Sequence, residues 1–161
     1  MSGQNIAFFD FDGTISRGDS LWLFVAHIVG RKRLFLGVAS RVHILLGYAL
    51  GFISNTQAKQ ALSAKFFAKI SASDFRQHCL DFLPTLEAIC KDSALARIEW
   101  HKKRGDIVVV VSASFEEYLG VLCEKLGVGC IATKLEVKSG FLSGRFASKN
   151  CYGAQKVERI R

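Results

Sequence analysis

The chain has 161 residues, half of them apolar, with a single Pro and a net charge of +8. That length holds one good core plus an appended subdomain and excludes two ordinary domains; the apolar content excludes a disordered or low-complexity chain. Five cysteines (Cys79, Cys90, Cys123, Cys130, Cys151) are odd in number, scattered and never in a C-x-x-C pair, a pattern of reduced thiols in a cytoplasmic protein rather than a disulfide framework or zinc site.

Residues 5–10, "NIAFFD", read as a short buried strand, and Asp12-Gly13-Thr14 as the turn leaving it. The apolar strand starts almost at once and carries Asp10 in its wake, so no signal peptide fits. From Ser20 to about Leu83 the pattern is helical, with apolar stretches such as "LWLFVAHIVG" and "ILLGYALGFIS" broken by basic residues. The longest apolar run falls far short of the roughly 20 residues that span a bilayer, which makes these buried or interfacial helices. Phe66 and Phe67 read as core packing. His27, His43, His78 and His101 have no ligand spacing and read as ordinary helix residues.

The charge is unevenly placed. Between Asp19 and Asp74 there is no Asp or Glu, while Arg31, Lys32, Arg33, Arg41, Lys59, Lys65 and Lys69 carry nearly the whole excess. A one-signed segment points to an anionic partner: a phosphorylated substrate, acidic lipid or nucleic acid. The absence of an aromatic-basic recognition motif argues against nucleic acid. The adjoining apolar stretches favour an anionic substrate or a peripheral membrane contact through this basic segment.

Pro84 suits a helix start, and "TLEAICKDSALARIEWHKKRG" continues it with apolar positions at 86, 89, 95 and 98, a basic last turn and a terminal glycine. "DIVVVVSAS" is the strongest strand, apolar on both faces as central parallel strands are. A helix follows from Phe115 to Leu126, stopping at Gly127. "VGCIAT" is a further strand, "KLEVKSGFLSGRF" a hairpin turning at Ser139-Gly140, and a last helix starts at Gly153. Strands alternating with helices predict an α/β fold, a three-layer Rossmann-like parallel sheet. The helical segment interrupts that alternation directly after the first strand. It is therefore read as an inserted all-helical cap, residues 20–84, within a discontinuous core of residues 1–19 and 85–161.

Open α/β sheets bind ligands beyond the carboxyl ends of their strands. Two strands here end in reactive polar groups, Asp10 and Asp12 after the first and Ser112 after "IVVVV". Taken singly these are ordinary: Asp often forms a turn at a strand end, and Lys156 alone would be a surface lysine. Asp19 is placed to cap the helix starting near Leu21.

Together, "FFDFDGT", "VVVVSAS" and "NCYGAQKVERI" resemble, in order and spacing, the first three motifs of the haloacid dehalogenase superfamily of phosphohydrolases. The helical insert and the hairpin "ATKLEVKSGFLSGR" resemble its phosphoserine-phosphatase-like branch. The resemblance implies a magnesium-dependent phosphomonoester hydrolase acting through an aspartyl-phosphate, and the basic, apolar-rich helical segment would select a small or lipid-linked anionic phosphate. Asp10 would be the nucleophile and Asp12 the general acid and base. Ser112 and the Ala113 amide would hold phosphoryl oxygens, and Lys156 would neutralise charge. Mg2+ would sit on an Asp10 oxygen and the Asp12 backbone carbonyl. Asp19 would face the substrate.

The family's fourth motif, an acidic G-D-x-x-x-D loop after a further strand, is not found before Arg161. The expectation is a sheet incomplete at its C-terminal side and a chain truncated before that motif. The first strand would then be an exposed apolar edge open to self-association. The alternative function is an impaired chain that only binds phosphate or a partner.

Overall fold

Four consecutive valines, 108–111, build the central strand, and Val110 and Val111 point to opposite faces yet are 1% and 3% exposed. Both sides of this strand are therefore covered, the condition of a three-layer α/β arrangement. The computed structural model describes residues 5–153, 155, 156 and 158.

In chain order the elements are β1 (Ile6–Phe9), a kinked turn (Phe11–Ile15), α1 (Ser20–Val29), α2 (Arg31–Ala39), α3 (Val42–Ala49), α4 (Asn55–Phe67), α5 (Ala72–Ile89), α6 (Asp92–Lys103), β2 (Ile107–Phe115), α7 (Glu116–Leu126), β3 (Gly129–Thr133), β4 (Leu135–Lys138) and β5 (Phe141–Phe146). β1, β2 and β3 form a parallel sheet in that order, with Phe8 opposite Val109 and Val110 opposite Cys130. β1 lies at the edge among the described residues, and its Ile6 and Phe8 are 52% and 42% exposed. β4 and β5 form an antiparallel hairpin closed by Ser139 and Gly140, both at positive φ, as a two-residue primed turn requires.

The helical segment 20–84 is present as α1–α4 and most of α5. Two details of the expected pattern differ. Pro84 does not begin a helix but lies inside α5. It is tolerated because it is solvent-exposed, as is Leu80 one turn earlier, whose freed carbonyl can take water instead of the missing N–H. The helix expected to run from there to residue 105 is broken at Cys90 and Lys91. The cause is non-local. Cys90 pairs with Ser16 as a β-bridge, the Lys91 amide donates to the Ile15 carbonyl at 2.8 Å and the Arg17 amide to Ile89 at 2.8 Å. The loop after β1 thus pins the chain between α5 and α6.

Phe24 of α1 is fully buried, with ring centroids 4.5 Å from Tyr118, 5.1 Å from Phe82, 5.5 Å from Phe75 and 5.9 Å from Phe67. This aromatic cluster, with geometry that adds to simple burial, welds the helical segment to α7 and so holds it above the sheet. Phe66 and Phe67 are core residues, 8% and 1% exposed. The hairpin braces the other side: the Lys69 amide donates to Leu142 and the Ala72 amide to Gly140, each at 2.9 Å. Cys79, Cys90, Cys123 and Cys130 are reduced thiols. Gln155, Lys156 and Glu158 are helical; the rest of the expected last helix, at 154, 157 and 159–161, lies outside the described residues.

Candidate functional site

The site begins where β1 ends. Asp10 is extended (φ −76°, ψ 154°) and its Oδ1 accepts the Phe11 amide at 2.8 Å, the start of a tight turn completed by Gly13 at φ +78°. A positive φ there favours glycine, so D-F-D-G is the local sequence that lets two carboxylates leave the strand tip in quick succession. Phe11 and Ile15 are fully buried and anchor that turn beneath.

The Asp12 carboxylate is held from two sides. Its Oδ1 accepts the Ser20 amide at 2.8 Å, and its Oδ2 accepts the Ser114 hydroxyl at 2.5 Å. Ser20 Oγ in turn lies 3.3 Å from Ser114 Oγ and 2.9 Å from the Tyr118 hydroxyl. Complete burial, reinforced by the Asp12 charge, pushes the Tyr118 phenol far above its ordinary value, so it remains a neutral hydrogen-bonding group. Ser20, Ser114 and Tyr118 are all buried; a fully connected buried network of this kind rigidifies what it ends on.

The β2–β3 register supplies the serines. Val111 pairs with Ile131 and Phe115 with Thr133, so three residues of β2, Ser112 to Ser114, face one residue of β3. Such an irregularity re-aims side chains, here at the mouth of the sheet. Ser112 is 1% exposed, and its Oγ accepts the Ser114 amide at 3.0 Å, leaving its own proton to donate into the cleft. From the C-terminal side Lys156 places Nζ 2.8 Å from Asp10 Oδ2.

Asp10, Asp12, Asp19, Ser112, Ala113 and Lys156 line one cleft of about 260 Å³, together with Leu21, Asn55, Lys59, Ser114 and Tyr152. Asp19 does both things open to it: it caps α1 by accepting the Leu21 amide at 2.9 Å and it lines the cleft. Desolvation there, and next the charge of Asp12, raise its carboxyl above the ordinary value.

Lys59 is the residue that sequence reasoning missed. It sits on α4, 9% exposed, 4.4 Å above the Phe115 ring, with Nζ donating to the Ala113 carbonyl and reaching Asn150 Oδ1 at 3.5 Å. Burial lowers its ammonium to about 8, against the opposing pull of Asp12 and Asp19. Its signal was its spacing: 59, 62, 63, 66 and 67 form the buried stripe of α4. Asn150 extends the same seam. It donates to Asn55 at 3.1 Å and Thr56 at 3.2 Å on α4, and accepts from Thr133 at 3.1 Å on β3. The helical segment is thereby hydrogen-bonded to the sheet across the cleft.

Among the described residues no group of three His, Cys, Asp or Glu side chains is placed to hold a metal ion. The cleft nonetheless offers the carboxylates of Asp10, Asp12 and Asp19, and Mg2+ is commonly bound through one or two carboxylates with water and substrate phosphate completing its shell. The hard oxygen donors of Asp10 and Asp12 fit that ion.

The sequence matches the family model described as haloacid dehalogenase-like hydrolase over residues 7–161. Among solved structures, a protein of unknown function from Bordetella pertussis Tohama I superposes with a TM-score of 0.82 at 20% identity, over 99% of this chain and 73% of that one. A substrate-bound phosphoserine phosphatase gives 0.66 at 19% identity, over 99% and 70%. A probable phosphoserine phosphatase from Vibrio cholerae gives 0.70 at 15% identity, over 98% and 45%. At such identities these likenesses establish the fold. A search of curated proteins finds no match.

Proposed function

The chain belongs to the haloacid dehalogenase-like hydrolase family, and from that premise we propose that it is a magnesium-dependent phosphomonoesterase working through an aspartyl-phosphate. The observation that carries this reading is one constellation: two carboxylates at the tip of β1, with Lys156 Nζ 2.8 Å from the first and the buried Ser112 hydroxyl in the same cleft. Phosphoryl transfer asks a protein mainly for positioning and charge stabilisation, and these groups supply both.

In the first half-reaction an Asp10 oxygen attacks phosphorus as the bond to the leaving alcohol oxygen breaks. The proton that oxygen needs comes from Asp12, which Ser114 and the Ser20 amide hold in place. In the second, Asp12 takes a proton from water as water attacks phosphorus, and Asp10 is released. Ser112 and the Ala113 amide hold phosphoryl oxygens, and Lys156 offsets the charge that gathers between nucleophile and phosphate. Mg2+, held by Asp10 and Asp12, would supply Lewis-acid stabilisation of the phosphoryl oxygens.

The substrate class is a small or lipid-linked anionic phosphate, with a phosphoserine-like molecule as the main alternative. Lys59 and Asn55, which line the cleft from α4, are the groups that would read the part of the substrate beyond phosphorus. The test is hydrolysis of p-nitrophenyl phosphate with and without Mg2+, in wild type and Asp10→Asn. Metal-dependent turnover lost in the variant supports the reading. A second reading, phosphate binding without turnover, is favoured by the lack of a third metal-ligating side chain among the described residues. Phosphate binding in the absence of any hydrolysis would decide for it.

A further inference from the structure

We propose that α2, α3 and the loop after them form a docking face for an anionic membrane surface. Phe35, Leu36, Val42, Leu46, Leu50 and Phe52 are 73%, 66%, 51%, 56%, 69% and 83% exposed. Val42, Leu46 and Leu50 recur at i, i+4 and i+8, one face of α3 and the position just past it. Scattered exposed apolar residues need no explanation, but six within 18 residues of one subdomain mark an interaction surface.

The charge beside this face identifies its partner. Arg31, Lys32 and Arg33 open α2 and are exposed. Arg33 also lines a cleft of about 320 Å³ between α2 and α4 with Lys65, Ser40 and Phe66. No Asp or Glu occurs from residue 20 to residue 73. A second copy of the chain is a poor occupant, because a two-fold interface brings a face onto itself and would set these cations against one another with no acid to offset them. A leaflet containing anionic lipids presents apolar and negative groups together. Short helices with apolar side chains on one side and Lys or Arg beside them lie in such an interface without crossing it, and none of the described helices is long and apolar enough to cross.

The face is coupled to the cleft. Gly37 of α2 packs so closely on Phe66 that an added Cβ would come within 2.4 Å of its ring, and α4, which carries Phe66, also carries Lys59 and Asn55 into the cleft. Docking would therefore set the mouth of the cleft at a fixed attitude to the lipid surface. The inference rests on exposure and charge, not on the phosphatase reading.

The experiment is vesicle flotation of the whole chain with phosphatidylcholine vesicles, with and without phosphatidylglycerol. Binding at least about tenfold tighter to the anionic vesicles is expected, since each surface cation contributes roughly fivefold. Phe35→Glu and Leu46→Glu should each weaken it about tenfold or more, and Arg31→Gln with Arg33→Gln should remove most of the preference for anionic lipid. All four positions are on the surface, and circular dichroism of each variant checks that the fold is kept. Equal binding to both vesicles, no binding, or binding indifferent to Phe35→Glu and Leu46→Glu overturns the proposal. So does a concentration-dependent dimer in sedimentation that Leu46→Glu dissolves, since that assigns the face to a second copy.

Discussion

The Ser114 hydroxyl donates to Asp12 Oδ2 at 2.5 Å, tying the second carboxylate of β1's turn to the irregular end of β2. A hydrogen bond to a charged group is worth about 1.5–3 kcal/mol. Ser114→Ala should therefore lower kcat about 10- to 100-fold, because Asp12 would lose the group that orients it for proton transfer. KM should change little, since Ser114 acts on the carboxylate and not on bound phosphate. Steady-state kinetics on p-nitrophenyl phosphate separate the two.

Tyr118 stands at the far end of the same chain of hydroxyls, 2.9 Å from Ser20 Oγ. Tyr118→Phe should leave the ring packing on Phe24 intact and remove only the hydroxyl's hydrogen bonding, at a loss of about 1 kcal/mol in stability. A smaller fall in kcat than in Ser114→Ala is expected, because Ser114 and the Ser20 amide remain on Asp12. Denaturant melts and kinetics on the same preparation read both.

Lys59 gives the account a pH signature. Its ammonium, lowered by burial to about 8, provides positive charge in the cleft at neutral pH and loses it as the medium turns alkaline. kcat/KM for an anionic phosphate should fall above about pH 8. Lys59→Met should be weaker throughout and lack that limb, whereas Lys59→Arg should move it out of range. Stability follows the opposite sense. Between about 8 and the ordinary 10.5 the unfolded chain holds the proton that folded Lys59 has shed, so this group makes the fold more stable as pH rises through that window. Thermal melts of wild type against Lys59→Met across it isolate the contribution.

Gly144 of β5 sits at φ +79°, and a Cβ there would lie 2.4 Å from Ala64 Cα on α4. The obstacle is backbone, which cannot swing aside, so hairpin and helix would have to separate. Gly144→Ala should cost about 3 kcal/mol, roughly 10 °C in melting temperature. Gly120 of α7 is the control. Nothing lies within 4 Å of an added Cβ, and Gly120→Ala should be neutral or slightly stabilising.

Much of this was legible in the residues. D-F-D-G-T, the valine strand and the Ser139-Gly140 turn are local patterns whose physics is complete within a few residues, and each element formed where its pattern lies. The site residues converge because strand ends in a parallel sheet share one edge of the fold. What escaped was set by distant partners. The break between α5 and α6 depends on Ser16 and Ile15 pairing with Cys90 and Lys91, a contact more than 70 residues apart in sequence. Pro84 reads as a helix boundary unless its exposure is known. Lys59 was hidden in a run of basic residues whose other members face solvent or lie at helix ends, and Asn150 was overshadowed by Lys156 in the same segment. In both cases the deciding fact was burial, which spacing suggests only weakly.

The most direct test of the central claim is to trap the covalent intermediate. The protein is mixed with a fast-leaving phosphate ester and Mg2+, quenched in acid, and its peptides are examined for a hydroxylamine-sensitive phosphoryl adduct. The account predicts that adduct on Asp10, with none in Asp10→Asn. An adduct on another residue, or metal-dependent hydrolysis that survives Asp10→Asn, would contradict it.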